Sequence, residues 1–231
     1  MSHSSAEPTE SSFPAAPEQI HPAAFAVDEA TNPFSARFIQ PGVISYIFPE
    51  GESLETMMSR FEAAGRRGEI IGPHGTGKST LIAAMQQMLE RNGNDLCVMT
   101  LHNGEHRLPF APSKLPIGDE TILVVDGFEQ LSWWSRRVLF QLCGRRRRGI
   151  LVTAHTPTGL PTLFETMMSP AIGMRVILEL LDGVGAAVEH SDRSPLAVSR
   201  TFDSLRRHDG NLRETLFELY DDYEAFRRPP E

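Results

Sequence analysis

Apolar residues recur along this chain with two alternating periods, and that alternation forecasts a fold class. Short apolar-rich runs at 68–71, 96–101, 121–126 and 149–154 have the length of strands, and that at 96–101 is apolar enough for a parallel strand buried on both faces. Between the runs, apolar positions fall three and four apart. Leu54, Met57, Met58 and Phe61 mark one helix over 53–64, which Gly65 closes. Leu81, Ile82, Met85 and Leu89 mark a second that Gly93 ends, and Leu131, Trp134, Val138 and Leu142 a third that Gly144 ends. Strands and helices in alternation predict an α/β domain of three layers, a central parallel sheet between helices.

Beyond residue 154 the pattern is less regular. Residues 157–168 read as a loop with a short helix, and 175–181 as a fifth strand or a short helix, which periodicity does not separate. Gly183 and Gly185 interrupt it. Ser194-Pro195 has the hydroxyl cap and first-turn proline of a helix start, with Val198, Phe202 and Leu205 on one face. Gly210 ends that helix. Asn211 and Glu214 have capping-box spacing for a last helix carrying Leu212, Leu216, Leu219, Tyr223 and Phe226. These two helices are expected to form a small lid over 183–231.

The N-terminal stretch 1–32 is rich in Ser, Pro, Ala and Glu, buries too little to offset the entropy of ordering, and is expected to be a disordered tail. Phe34, Phe38, Ile39, Val43, Ile44, Tyr46, Ile47 and Phe48 then crowd into an arm that must dock. The expected division is a tail over 1–32, an arm and first helix over 33–65, a core over 66–182 and the lid.

Composition narrows the function. With 231 residues, 40% of them hydrophobic, the chain suits one domain with a small appendage. Its net charge of -8 comes largely from the tail, which has five acids and no Lys or Arg, and leaves 25 acidic and 22 basic residues elsewhere. That balance does not call for a nucleic-acid footprint and leaves room only for a local basic patch. Cys97 and Cys143 lie in apolar segments without metal-ligand spacing and read as reduced core residues. No apolar run reaches membrane-spanning length and no secretory signal opens the chain, so a cytoplasmic protein is expected.

The densest chemistry lies in Gly72-Pro73-His74-Gly75-Thr76-Gly77-Lys78-Ser79-Thr80. Glycines at these positions let successive backbone N–H groups turn inward as an anion nest, and a helix beginning near Lys78 adds the positive end of its dipole. Lys78 supplies a charge for the β and γ phosphates of a nucleoside triphosphate, Ser79 a hydroxyl for Mg²⁺, and Thr80 extends the cradle. Only two lysines occur against twenty arginines, and one of them stands here. The strand 121–126 then delivers Asp126 at its carboxyl end, where ligands of open α/β sheets bind and where a carboxylate can hold the Mg²⁺ shell. Glu129 is the nearest carboxylate able to activate water, or alternatively complements the start of the following helix. Thr153 or His155, at the tip of the strand 149–154, is placed to sense the γ phosphate. Each could instead be a satisfied strand-end polar group.

Three further features invite partners. Residues 102–120 carry too many prolines for a regular element and are long enough to be a lid or a partner surface. His102 and His106 are spaced like a metal pair, but Asn103-Gly104 between them argues against a helix. Arg136, Arg137 and the run Arg145 to Arg148 complement a helix C-terminus, or touch the phosphate of nucleic acid or of a neighbouring copy's nucleotide.

Taken together, the loop 72–80, Asp126 at a strand end and the polar-tipped strand at 152–155 resemble P-loop NTPases of the additional-strand group, most closely the AAA+ and STAND ATPases. The resemblance implies ATP and Mg²⁺ as cofactors, residues 72–80 as the Walker A loop, Asp126 as the Walker B metal residue and Glu129 as a displaced catalytic acid. It also implies Thr153 or His155 as first sensor and Arg213, in the Gly210-Asn211-Leu212-Arg213 opening of the lid helix, as second sensor. By the same likeness residues 38–48 can contact adenine, and assembly into a nucleotide-dependent homo-oligomer is in keeping with the group. The sequence departs from the family at Gly127, where an acid usually follows the Walker B Asp. An ATPase that drives or gates a conformational change is therefore expected, with a slowly hydrolysing nucleotide-gated module and a small-molecule kinase as alternatives.

Overall fold

The computed structural model describes residues 32–108, 118, 120–144, 148–183 and 197–227. Residues 1–31 of the expected tail, residues 109–117 and 119 of the 102–120 loop, Arg145 to Arg147, and Ser194-Pro195 lie outside them, whereas Asn32, the last residue of the expected tail, is described and buried. A short turn of helix, α1 (Ala36–Ile39), precedes α2 (Leu54–Ala63), β1 (Arg67–Ile71), α3 (Lys78–Arg91), β2 (Leu96–Thr100), β3 (Ile122–Asp126) and α4 (Trp133–Gly144). There follow β4 (Gly149–Ala154), β5 (Thr162–Glu165), α5 (Pro170–Gly183), α6 (Val198–Arg207) and α7 (Leu212–Arg227). All strand pairs are parallel, in the order β2-β3-β4-β1-β5.

Period-two alternation in the sheet divides the core. Leu123, Val125, Ile150 and Val152 face Leu139 and Cys143 of α4 and Phe128, while Ile122, Val124 and Leu151 face Leu81, Met85 and Leu89 of α3 and Met57 and Phe61 of α2. Burial raises the pKa of both cysteines, Cys97 and Cys143, so they remain inert thiols. A third cluster joins Phe34 and Phe38 of the arm to Val176, Ile177 and Leu180 of α5, Leu205 of α6 and Leu216 and Leu219 of α7. The arm therefore docks, and Asn32 ties it to α7 by donating to the Tyr220 carbonyl at 3.0 Å and to Glu224 at 2.9 Å.

Several expected elements take a different form. The run at 96–101 forms β2 at the sheet edge, not a strand covered on both faces, so Val98 is 44% exposed. The segment 157–168 contains the strand β5. Buried Glu69 of β1 directs it, accepting from the Thr158 amide at 2.8 Å and from the hydroxyls of Thr158 and Thr162 at 2.5 and 3.0 Å. Residues 175–181 are helical, within α5, and pack with the last two helices. In α4 the buried positions are Leu139 and Cys143, one residue on from the expected stripe, and Trp134 is exposed. Helix α6 starts at Val198 after Ala197 and buries Thr201, Ser204 and Leu205 while Val198 and Phe202 face outward. Its polar face is held instead by Glu218 of α7, which accepts from Ser204 at 2.6 Å, from Arg207, and from His208 at 2.7 Å.

Candidate functional site

The sheet brings its carboxyl ends to one level, with Ile71 beside Ala154 and Val125 beside Val152 in register. The loop leaving β1, the Asp126 tip of β3 and the His155 tip of β4 therefore meet at one edge. They line a cavity of about 970 Å³, together with His74 to Thr80 of the loop, Glu129, Thr153, Arg213, and Pro41, Ile44 and Tyr46 of the arm.

The loop is held by tertiary contacts as well as by its glycines. Gly75 has φ +70°, and a Cβ there would run into the Asn211 side chain, while the Leu212 amide donates to the Gly75 carbonyl at 3.3 Å. The lid helix α7 thus begins on the loop itself. The Tyr46 ring packs against Gly77, at 3.0 Å from where a Cβ would stand, and its burial raises the phenol pKa to about 12. Thr76 pairs with Thr166 at 2.6 Å, which fastens the loop to the segment after β5.

Lys78 is buried at the first position of α3, and its ammonium donates to the Gly72 and Pro73 carbonyls at 2.7 and 2.6 Å. Burial lowers its pKa, Arg213 pushes in the same direction, and Glu129 and Asp126 oppose. Two carbonyl dipoles do not neutralise a buried cation, so the site favours an anion.

Asp126 is oriented by its neighbour strand. The Thr153 hydroxyl donates to Asp126 Oδ1 at 2.5 Å and accepts from the Gly127 amide at 2.8 Å. This explains the missing acid after Asp126: Gly127 has φ +84°, and a Cβ there would lie 2.6 Å from the Leu101 carbonyl oxygen, so no side chain fits. The carboxylate enters two residues later from a 3₁₀ turn at Phe128–Gln130. Arg136 holds that turn, donating to the carbonyls of Glu129 and Leu131 at 2.6 and 2.9 Å.

Glu129 Oε1 lies 3.2 Å from His155 Nε2, and Glu129 Oε2 is buried without a hydrogen-bond partner. Burial lowers the His155 pKa, and Lys78 and His74 add to that, against the pull of Glu129, so the imidazole is neutral near pH 7. The structure thus separates the two sensor candidates: Thr153 is buried against Asp126, whereas His155 faces Glu129. Every residue expected to form the site lines or adjoins the one cavity.

Three contacts were not anticipated. The His74 ring packs against His155 at a 58° tilt with 3.7 Å between centroids, Asn211 meets Gly75, and Thr166 meets Thr76. No spacing signals them, because each joins segments distant in sequence. Of the two spaced histidines, His106 has its Nδ1 3.0 Å from the Gln130 carbonyl, and among the described residues there is no cluster of three or more His, Cys, Asp or Glu that could hold a metal. Arg148 answers a helix end, donating to the Leu142 carbonyl at 3.2 Å and the Gly118 carbonyl at 2.7 Å. Among the described residues no helix is long and apolar enough to cross a membrane.

No protein-family model matches the chain, and no curated protein does. Solved structures do. AMPPCP-bound DnaA from Aquifex aeolicus aligns with a TM-score of 0.52 at 16% identity, over 79% of this chain and 66% of that one. A DNA replication initiation factor aligns at 0.49 and 15%, over 79% and 65%, and the Thermotoga maritima RuvB Holliday junction branch migration motor at 0.43 and 16%, over 73% and 69%. The chain spans about two thirds of the length of these structures. With five parallel strands, and β4 lying between the phosphate-loop strand and the strand that ends in Asp126, the chain has the three-layer P-loop NTPase fold in its additional-strand form.

Proposed function

We propose that this protein binds Mg·ATP against residues 72–80 and hydrolyses it to ADP and phosphate, and that the reaction moves or gates the lid helices. The observation that carries the reading is convergence. Lys78, Ser79, Asp126, Glu129, His155 and Arg213, drawn from five separate segments, line one cavity with the phosphate loop. A neighbouring fold solved with AMPPCP is in keeping with an adenine nucleotide.

The donor set fits the metal. The Ser79 hydroxyl and the Asp126 carboxylate are hard oxygen ligands on one cavity, the kind a magnesium ion takes beside its own waters, and Thr153 fixes the orientation of Asp126. Magnesium there would neutralise charge on the β and γ phosphates. Lys78 exchanges loop carbonyls for phosphate oxygens. The loop amides and the α3 N-terminus hold the triphosphate in place. Glu129 takes the proton of the attacking water as the water oxygen bonds to the γ phosphorus and the bond to the β-phosphate oxygen breaks, with ADP leaving. His155, neutral beside it, orients Glu129 and leaves its second oxygen free for that proton. Arg213, in the first turn of α7, links the γ phosphate to the lid, and the arm residues from Pro41 to Tyr46 supply the wall for the base.

One observation favours a slow variant of the same reaction, a nucleotide-gated module. Gly127 excludes an acid at the usual position, so the base acts from a turn that must hold its place. Phosphate release and ATP binding, measured on wild type, Lys78→Ala and Glu129→Gln, test the proposal. Lys78→Ala is expected to lower turnover about a hundredfold or more with the fold retained. Glu129→Gln is expected to keep binding and lose release. Unchanged release in Glu129→Gln removes Glu129 as the base, and absence of ATP binding by the wild type overturns the whole reading.

A further inference from the structure

Away from the cavity, α4 presents a face that the nucleotide reading does not use. Trp133 and Trp134, the only tryptophans in the chain, are 62% and 71% exposed and pack edge to face at 4.5 Å. Two indoles left in water at adjacent positions are costly to the isolated domain and mark a contact surface. The exposed Arg137 guanidinium lies 5.7 Å from the Trp133 ring centre.

The neighbouring loop completes the surface. The Ser132 amide donates to the His106 carbonyl at 2.9 Å and the Ser135 hydroxyl does so at 3.3 Å, so His106 and Arg107, both exposed, sit beside the Trp pair. A cavity of about 350 Å³ opens there between Thr100, Leu101 and the loop. Along the chain from Leu131 to Arg148 the sequence holds six arginines and no acid, while the adjoining residues 102–108 carry one exposed acid, Glu105, whose carboxylate accepts from the His102 amide at 2.7 Å. Arg136 and Arg148 are used inside the fold, which leaves Arg107 and Arg137 as the described cations facing outward.

We propose that Trp133, Trp134, Arg137, His106 and Arg107 form a binding site for single-stranded nucleic acid, with bases stacking on the indoles and the two arginines pairing with backbone phosphates. Flat aromatic faces interleaved with cations suit an unpaired strand, whose bases are free to stack, better than a duplex, whose bases are not. An acidic protein segment would match the charge but would leave both indole faces without a flat partner.

Because both tryptophans lie in the site, their intrinsic emission reports on it directly. The full chain is titrated in 50 mM salt with 20-mers of deoxythymidine and of uridine, which distinguish DNA from RNA, and binding is also read by anisotropy of the labelled oligomers. The expected result is quenching on binding, about sevenfold weaker binding at 200 mM salt, and tenfold or greater weakening in Trp133→Ala with Trp134→Ala. The Trp133→Phe with Trp134→Phe pair should keep most of the affinity, and Arg107→Ala with Arg137→Ala should weaken binding and flatten its salt dependence. The proposal is overturned if neither oligomer binds, if the alanine pair binds as the wild type does, or if a 20-residue polyglutamate competes as well as the oligomers.

Discussion

The phosphate loop and the lid helix α7 touch at Gly75, yet they owe their shapes to different forces. The loop takes its backbone path largely from nine consecutive residues, where glycines open the backbone and Lys78 folds back on the Gly72 and Pro73 carbonyls, and Tyr46, Thr166 and Asn211 only fasten it. The lid has no such local program. Its helices α6 and α7 stay together, and with α5 beside them, because Phe34 and Phe38, from far upstream, join one buried cluster with Val176, Leu205 and Leu219, and because Glu218 gathers Ser204, Arg207 and His208. A locally specified loop keeps its form in many surroundings. An assembly of long-range contacts can loosen as a unit, which is what a moving part requires.

The largest expected effect comes from opening the lid core. Leu219 is fully buried in the lid cluster, so Leu219→Ala should cost about 2–5 kcal/mol. Hydrogen exchange should show the loss confined to α5–α7, with β1, β3 and β4 amides keeping their protection; a uniform loss would mean that lid and core unfold as one. Next comes the joint itself. Gly75→Ala places a side chain at φ +70° against Asn211 and should cost about 1–3 kcal/mol in melting experiments while weakening ATP binding.

The two regions also differ in pH response. In the site, burial holds His155 below its ordinary 6.5, so the unfolded chain takes up this proton before the folded one does. Its effect is absent above pH 6.5, and stability falls as pH drops from 6.5 toward the lowered value. His155→Gln should remove that part of the slope in melting temperature between pH 7 and 5. In the lid, burial opposes ionisation of Glu218, but the hydrogen bonds from Ser204, Arg207 and His208 prevail and hold it below 4.5. Its contribution is present above 4.5 and is lost as pH falls through the lowered value. Glu218→Gln should give the smallest effect, about 1 kcal/mol or less, and flatten the acid limb of the melting curve.

Sequence alone determined the features that are written locally. The phosphate loop, the strand ending in Asp126, the helix starts at Leu54 and Lys78, and the α/β alternation are set by spacing, glycine and capping chemistry within a few residues. Tertiary structure decided whatever depends on who lies opposite. It placed β2 at an edge, made a strand of Thr162–Glu165 because Glu69 is buried beside it, turned the Trp133–Trp134 pair outward, and replaced the apolar face expected for α6 with the one that packs on α7. It also assigned Thr153 to Asp126 and His155 to Glu129, and it barred an acid from position 127. Periodicity states which residues can be buried together. Which of them are buried depends on contacts between segments far apart in the chain, and those exist only once it has folded.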